Sequence, residues 1–163
     1  MTVTSYALAL GSNRRSRSGS PAETVAAAAA ALGVERLSRI CATAAVGPAG
    51  RAFANAAAIL RSDLAPPDLL EALKALERDF GRRPGRRWGP RVLDLDIILW
   101  SEGSWAGPGL VVPHPEFRGR AFVLKPLAEI APGWRDPLTG LNLRQLLARL
   151  RKGRPVDPNP ART

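Results

Sequence analysis

Two residue types that often staple small proteins together are nearly missing. Cys41 is the sole cysteine and His114 the sole histidine among 163 residues. One thiol excludes an internal disulfide, and the pair excludes a zinc site built from cysteines or histidines. A lone cysteine also fits a reducing cytoplasm. No apolar run approaches the roughly 20 residues of a membrane span. The opening residues, Met1-Thr2-Val3-Thr4-Ser5-Tyr6, show no basic segment followed by an apolar one. No secretory signal is therefore expected, and the expected location is cytoplasmic. Lysine is scarce too: Lys74, Lys125 and Lys152 are the only ones, and arginine supplies the remaining basic charge.

Positive charge is what the chain has in excess. A formal net charge of +10 points to an anionic partner, without separating nucleotide from nucleic acid or simple solubility. Hydrophobic content of 45% is ordinary for a globular protein, and the length suits one domain with a real core. The expected domain covers residues 1–152. The tail 153–163, with three prolines, is expected to be disordered.

The stretch from Arg86 to Trp100 organises the rest. From Val92 onward it reads as a strand, with Leu93, Leu95, Ile97 and Leu99 alternating with Val92, Asp94, Asp96, Ile98 and Trp100. Asp94 and Asp96 then share one face, roughly 6.5–7 Å apart. A polar edge face is the bland interpretation, strained by apolar Ile98 and Trp100 on the same side. Adjacent carboxylates repel and call for a cation. Oxygen ligands at this spacing suit Mg²⁺, which completes its shell with waters and substrate phosphates. Arg82, Arg83, Arg86, Arg87 and Arg91 stand just upstream, the donors a polyphosphate needs.

Elsewhere the pattern alternates strands and helices. Ser5 to Leu10 predicts a first strand, ended by the turn residues Gly11-Ser12-Asn13. Ser20-Pro21-Ala22-Glu23 is a capping box that opens a helix to Leu32, stopped by Gly33. Val34 to Thr43 predicts a second strand and Phe53 to Leu60 a third. Ala65-Pro66-Pro67-Asp68 opens a helix with an apolar stripe of Leu69, Leu70, Leu73, Leu76 and Phe80. Glu77 near its end reads as an exposed helix partner or as polar lining beside a nucleotide. Ser101 to Pro108 reads as turn, Gly109 to Val112 as a short strand, and 120–129 as a helix that Pro126 shortens or bends. Asn142 to Lys152 predicts a last amphipathic helix. The order β-α-β-β-α-β predicts an α+β fold, most simply a ferredoxin-like antiparallel sheet with helices on its faces.

Several motifs now stand in order: Gly11-Ser12-Asn13, Gly47-Pro48, Phe53-Ala54-Asn55, Arg87-Trp88-Gly89-Pro90-Arg91 with Asp94-Leu95-Asp96, Val112-Pro113-His114, and Arg120-Ala121-Phe122. Together they resemble the 6-hydroxymethyl-7,8-dihydropterin pyrophosphokinase family of folate biosynthesis, over roughly residues 6–132. The resemblance implies transfer of pyrophosphate from ATP to the pterin hydroxymethyl group, releasing AMP. It implies two Mg²⁺ ions on Asp94 and Asp96, and a pterin stacked between Phe53 and Phe122 with Asn55 bonded to the ring. Thr43 and Val46 would add backbone contacts, and Trp88 would lie on the pterin side. Without the resemblance, Trp88 reads as a packing anchor, a lid residue or a nucleic-acid stacking residue.

On the nucleotide side the resemblance implies Lys74, Glu77, Arg83, Arg86, Arg87, His114 and Arg120. Arg82, Arg91 and one of Arg83 or Arg86 would close over the phosphates. Pro84 stands where a second lid arginine is usual, and Pro115 where a tyrosine often follows His114. The implied partners are small molecules only, with no nucleic acid or membrane and a monomeric state. The rivals are a basic α+β RNA-binding module and a non-catalytic relative that binds pterin alone. Asp94 and Asp96 would put negative charge on an RNA-binding sheet.

Overall fold

The computed structural model describes residues 2–43, 52–81 and 92–158. Val46, Arg82, Arg83, Arg86, Arg87, Trp88 and Arg91 lie outside the described residues, and for Thr43 only the backbone is described.

Strand β1 (Thr4–Ser12) is bonded along both edges, to β4 (Phe53–Ser62) and to β5 (Asp94–Trp100), antiparallel in each case. Beyond β4 lie β2 (Arg36–Leu37) and β3 (Cys41–Thr43), each antiparallel to it, so the sheet runs β2-β4-β1-β5 with β3 also on β4. One face carries Tyr6, Leu8, Leu10, Ala56, Leu95 and Ile97 beneath helices α1 (Pro21–Leu32) and α2 (Pro66–Asp79). The opposite face carries Ala7, Ala57, Ile59, Ile98 and Leu99. It is covered by the 3₁₀ turn Phe117–Gly119 and by helices α3 (Ala121–Ile130) and α4 (Leu143–Arg151). The result is an α+β fold in three layers with two apolar cores.

The helix signals act as expected. Ser20 accepts the Glu23 N–H while Glu23 accepts the Ser20 N–H, Pro21 occupies the first turn, and Gly33 closes the helix at φ 67°. Asn142 and Gln145 build a second capping box for α4. Pro126 sits inside α3 without ending it. The bond it forfeits is to the carbonyl of Phe122, an exposed first-turn residue that water can serve.

Several expectations need correction. The second strand is broken into β2 and β3 because Ser38 enters the ladder. Its N–H donates to the Ala57 carbonyl and its hydroxyl accepts the Ala57 N–H, while Arg39 turns to Glu129 on α3. Gly11 and Ser12 do not end β1; they pair with Asn55 and Ala54. The stretch read as turn contains β6 (Trp105–Gly107), which forms a hairpin with β7 (Leu110–Val112). Trp105 packs edge-on to Trp100, with ring centroids 6.2 Å apart. Beyond α4 the described residues run through Pro158, and Val156 packs against the second core.

The regular alternation expected for 92–100 also fails at one place. Ala7 pairs with Leu99 but Leu8 with Ile97, so Ile98 is an extra residue in β5. This bulge puts Ile98 and Leu99 in the same core and swings Trp100 to the other face, where it stacks on Tyr6 at 6.1 Å. Trp100 thus does not share the face of Asp94 and Asp96, whereas Ile98 does.

Behind α3 lies a buried ion pair. Arg118 and Asp136 are 3% and 0% exposed, joined by two bonds of 2.6 and 2.8 Å. Asp136 also accepts from the Thr139 hydroxyl and the Leu138 N–H, closing the loop before α4. Burial alone would raise the carboxyl; the bonds from Arg118, Thr139 and Leu138 outweigh it and hold it below the usual range. The folded state therefore favours the carboxylate. Its contribution is full above the unfolded value, near pH 4, and falls away as pH drops through the lower folded value. Arg118→Met is expected to cost about 3–5 kcal/mol in urea unfolding, because it strands a buried charge, while adding Asp136→Leu recovers most of that loss. The excess stability of wild type over the double variant should shrink below about pH 4.

Candidate active site

The register of three strands builds the site. Asn55 on β4, Gly11 on β1 and Asp94 on β5 lie in one row across the sheet, with Cys41 of β3 continuing it beyond Asn55. The next row on the same face is Ala57, Ala9 and Asp96. Directly opposed residues on adjacent strands share a face. Asn55, Asp94 and Asp96 therefore rise from a floor of small residues. At Gly11 a Cβ would stand 3.1 Å from the Asn55 Oδ1, closer than most side chains tolerate. Glycine leaves the space Asn55 occupies.

This end of the sheet opens into a pocket of about 370 Å³ lined by Gly11, Ser12, Asn13, Phe53, Asn55, Asp94 and Phe122. Phe53 and Phe122 are 46% and 53% exposed, which is unusual for phenyl rings in a chain with two well-filled cores. Paired aromatic faces beside a carboxamide suit a flat heteroaromatic with a donor–acceptor edge. Thr43 is the backbone partner of Phe53. Gly11-Ser12-Asn13, read from the sequence as a supporting turn, instead belongs to the lining. The signal was available in a Gly-Ser-Asn run at the end of a strand.

His114 follows β7, and its N–H donates to the carbonyl of the bulge residue Ile98, 2.9 Å away. Its Nδ1 accepts the Glu116 N–H at 3.1 Å, which leaves the proton on Nε2 in the neutral ring. Burial pushes the imidazole below its ordinary range against the pull of Asp96, and Arg120 pushes in the same direction. Arg120 pairs with Glu116 and places its guanidinium 5.8 Å from the Phe122 ring centroid. His114 and Arg120 thus form a basic edge next to the aspartates. Glu116 was not foreseen.

Lys74 and Glu77 both belong to α2. Lys74 is exposed on α2 and is not among the residues lining the pocket. Glu77 is not an exposed helix partner: it is 4% exposed, and its Oε2 accepts the Leu95 N–H at 2.8 Å.

The donor set fits magnesium. Asp94 and Asp96 are half-buried, share one face and offer only oxygen. Among the described residues no group of three or more His, Cys, Asp or Glu forms a metal cage. Two carboxylates with waters and phosphate oxygens are a common Mg²⁺ shell. The exposed phenyl is separable from the core by unfolding: Phe122→Ala should lose no more than about 1 kcal/mol, an exposed cation–π contact. The fully buried Phe117→Ala should lose about 3–5 kcal/mol.

Comparison with known proteins shows the relatives of this chain. The chain is 44% identical over 118 residues to 2-amino-4-hydroxy-6-hydroxymethyldihydropteridine pyrophosphokinase of Synechocystis, covering 72% of this chain and 60% of that protein. The protein of the same description from Pseudomonas aeruginosa is 51% identical over 104 residues, covering 63% of this chain and 64% of the relative. The matches thus span 60–64% of the length of these relatives. A crystal structure of HPPK-DHPS in complex with substrates superimposes with a TM-score of 0.72 at 11% identity, over 94% of this chain and 45% of that one. Plasmodium falciparum HPPK-DHPS, as a triple mutant with pteroate, gives 0.68 at 12% identity, over 91% and 43%. At such identities the likeness is one of fold. The model of the 7,8-dihydro-6-hydroxymethylpterin-pyrophosphokinase family matches residues 7–132, and the chain belongs to that family.

Proposed function

We propose that this chain is an ATP-dependent diphosphokinase of folate biosynthesis, transferring pyrophosphate from ATP to the hydroxymethyl group of 6-hydroxymethyl-7,8-dihydropterin. The observation that carries this reading is the single row Asn55, Gly11 and Asp94, with Asp96 one row on. It sets a ring-binding amide and a carboxylate pair on one face. The hydroxymethyl oxygen attacks the β-phosphorus, the bond to the bridging oxygen of the α-phosphate breaks, and AMP leaves. In this reading the protein acts as a cytoplasmic monomer on small molecules, without nucleic acid. Residues 1–152 form one domain, and the strand order supports a ferredoxin-like arrangement.

Phe53 and Phe122 would clamp the pterin faces and Asn55 its edge, with Thr43 and Val46 adding backbone contacts and Trp88 closing that side. Asp94 and Asp96 would hold two Mg²⁺ ions. When bound, these neutralise phosphate charge and polarise the reacting oxygens. His114, through its Nε2–H, and Arg120 would donate to phosphate oxygens along the nucleotide side. Lys74 and Arg87 would add charge there. Arg82, Arg91 and one of Arg83 or Arg86 would spread the charge that develops on the departing phosphate. Transfer of this kind depends on positioning and charge neutralisation more than on a strong base, which suits a site whose one histidine is neutral.

Mixing the protein with ATP, Mg²⁺ and the dihydropterin should release AMP in proportion to pterin consumed, and omitting any one should stop it. No AMP at any Mg²⁺ concentration would leave a pterin-binding relative. Salt-sensitive RNA binding without nucleotide binding would leave the RNA module. Asp96→Ala is expected to lower turnover at least about 100-fold. Its unfolding midpoint should shift little, since a half-exposed carboxylate carries little stability.

A further inference from the structure

The contact from Glu77 to Leu95 has a position that stability alone does not explain. Among the described residues β5 is the terminal strand of its sheet, bonded to β1 along one edge, and α2 lies against it. A buried strand N–H needs a partner, and leaving it without one costs about 1–3 kcal/mol. The partner here is the Glu77 carboxylate, 4% exposed, on the peptide unit between Asp94 and Leu95.

The geometry of a strand makes this contact directional. Leu95 sends its side chain into the core under α1 and α2, while Asp94 and Asp96 project to the opposite face. That peptide follows Asp94 directly and precedes Asp96 by one residue, so its orientation bears on how both acids leave the strand. The bond also links positions eighteen apart, and the intervening sequence carries Arg82, Arg83, Arg86, Arg87 and Arg91. It joins the two sides of that stretch where the acids begin.

We propose that Glu77 is a positioning residue for the metal-binding pair, its carboxylate holding the Leu95 peptide so that Asp94 and Asp96 face the pocket side by side. This rests on the metal role proposed for those aspartates, and it differs from a direct contact between Glu77 and nucleotide.

Glu77→Ala and Glu77→Gln separate the possibilities. Three quantities are measured: hydrogen exchange at the Leu95 amide, the Mg²⁺ concentration that half-saturates binding of a non-hydrolysable ATP analogue, and pterin affinity. The alanine variant should exchange Leu95 faster, raise the Mg²⁺ midpoint about tenfold or more, and change pterin affinity less than about twofold. The glutamine variant keeps an oxygen acceptor and should stay within about threefold of wild type in Mg²⁺ midpoint. An unchanged midpoint in Glu77→Ala beside a responsive wild type overturns the inference alone. So does a glutamine variant as impaired as alanine, which would make the charge, not the bond, responsible. Should Glu77→Ala fail to fold, Glu77→Asp keeps the charge but shortens the reach, and it must show the same Mg²⁺ shift or the inference falls. Wild-type protein that binds no analogue with Mg²⁺ overturns the functional reading and this inference with it.

Discussion

β1 is hydrogen-bonded on both edges and covered on both faces, so each of its side chains has to satisfy a different layer. Tyr6, Leu8 and Leu10 fill the space under α1 and α2. On the opposite face the series Ala7, Ala9, Gly11 loses bulk toward one end of the sheet. That taper is the constraint from which the rest follows. At the Ala7 end the face is closed by α3 and α4; at the Gly11 end it is open, and Asn55 and Asp94 rise on either side of a glycine. Large residues packed elsewhere supply the burial that small ones give up, at roughly 25 cal/mol per Å² of apolar surface.

The wall of the pocket is held from behind. Phe122 and Arg120 begin α3, directly after the 3₁₀ turn that Arg118 anchors to Asp136. An ion pair with so little exposure is weak evidence for stability, since desolvation offsets much of its attraction. Its directional bonds are more informative. They tie the turn between His114 and Arg120 to the loop before α4, so two residues of the basic edge stand on a rigid support. On the other flank the Ile98 bulge accepts the His114 N–H, which brings the histidine beside the strand that carries the acids. Bulges commonly re-aim side chains near functional sites.

Much of this was legible in the chain. Capping residues at Ser20 and Glu23, a stop at Gly33 and the leucine stripe of α2 are local signals, satisfied within a turn or two of helix. Asp94 and Asp96 could be assigned to one face because they are two residues apart on a strand. What escaped was set by distant partners. Nothing near Ser38 announces that its hydroxyl will meet Ala57, or near Ile98 that β1 will skip it. For Glu77 the sequence left an exposed helix partner and a polar lining residue both open, because its acceptor role depends on a strand eighteen positions later.

By itself, the sequence determined the period of each element, the ends of its helices, the charge pattern and the family to which its motifs point. These depend on backbone sterics and on neighbours within a few residues. Only the tertiary structure decided which phenyl rings stay exposed, which carboxylate turns inward and which peptide it holds. Those outcomes depend on cross-strand register, and a shift of one residue, as at Ile98, sends every following side chain to the opposite face.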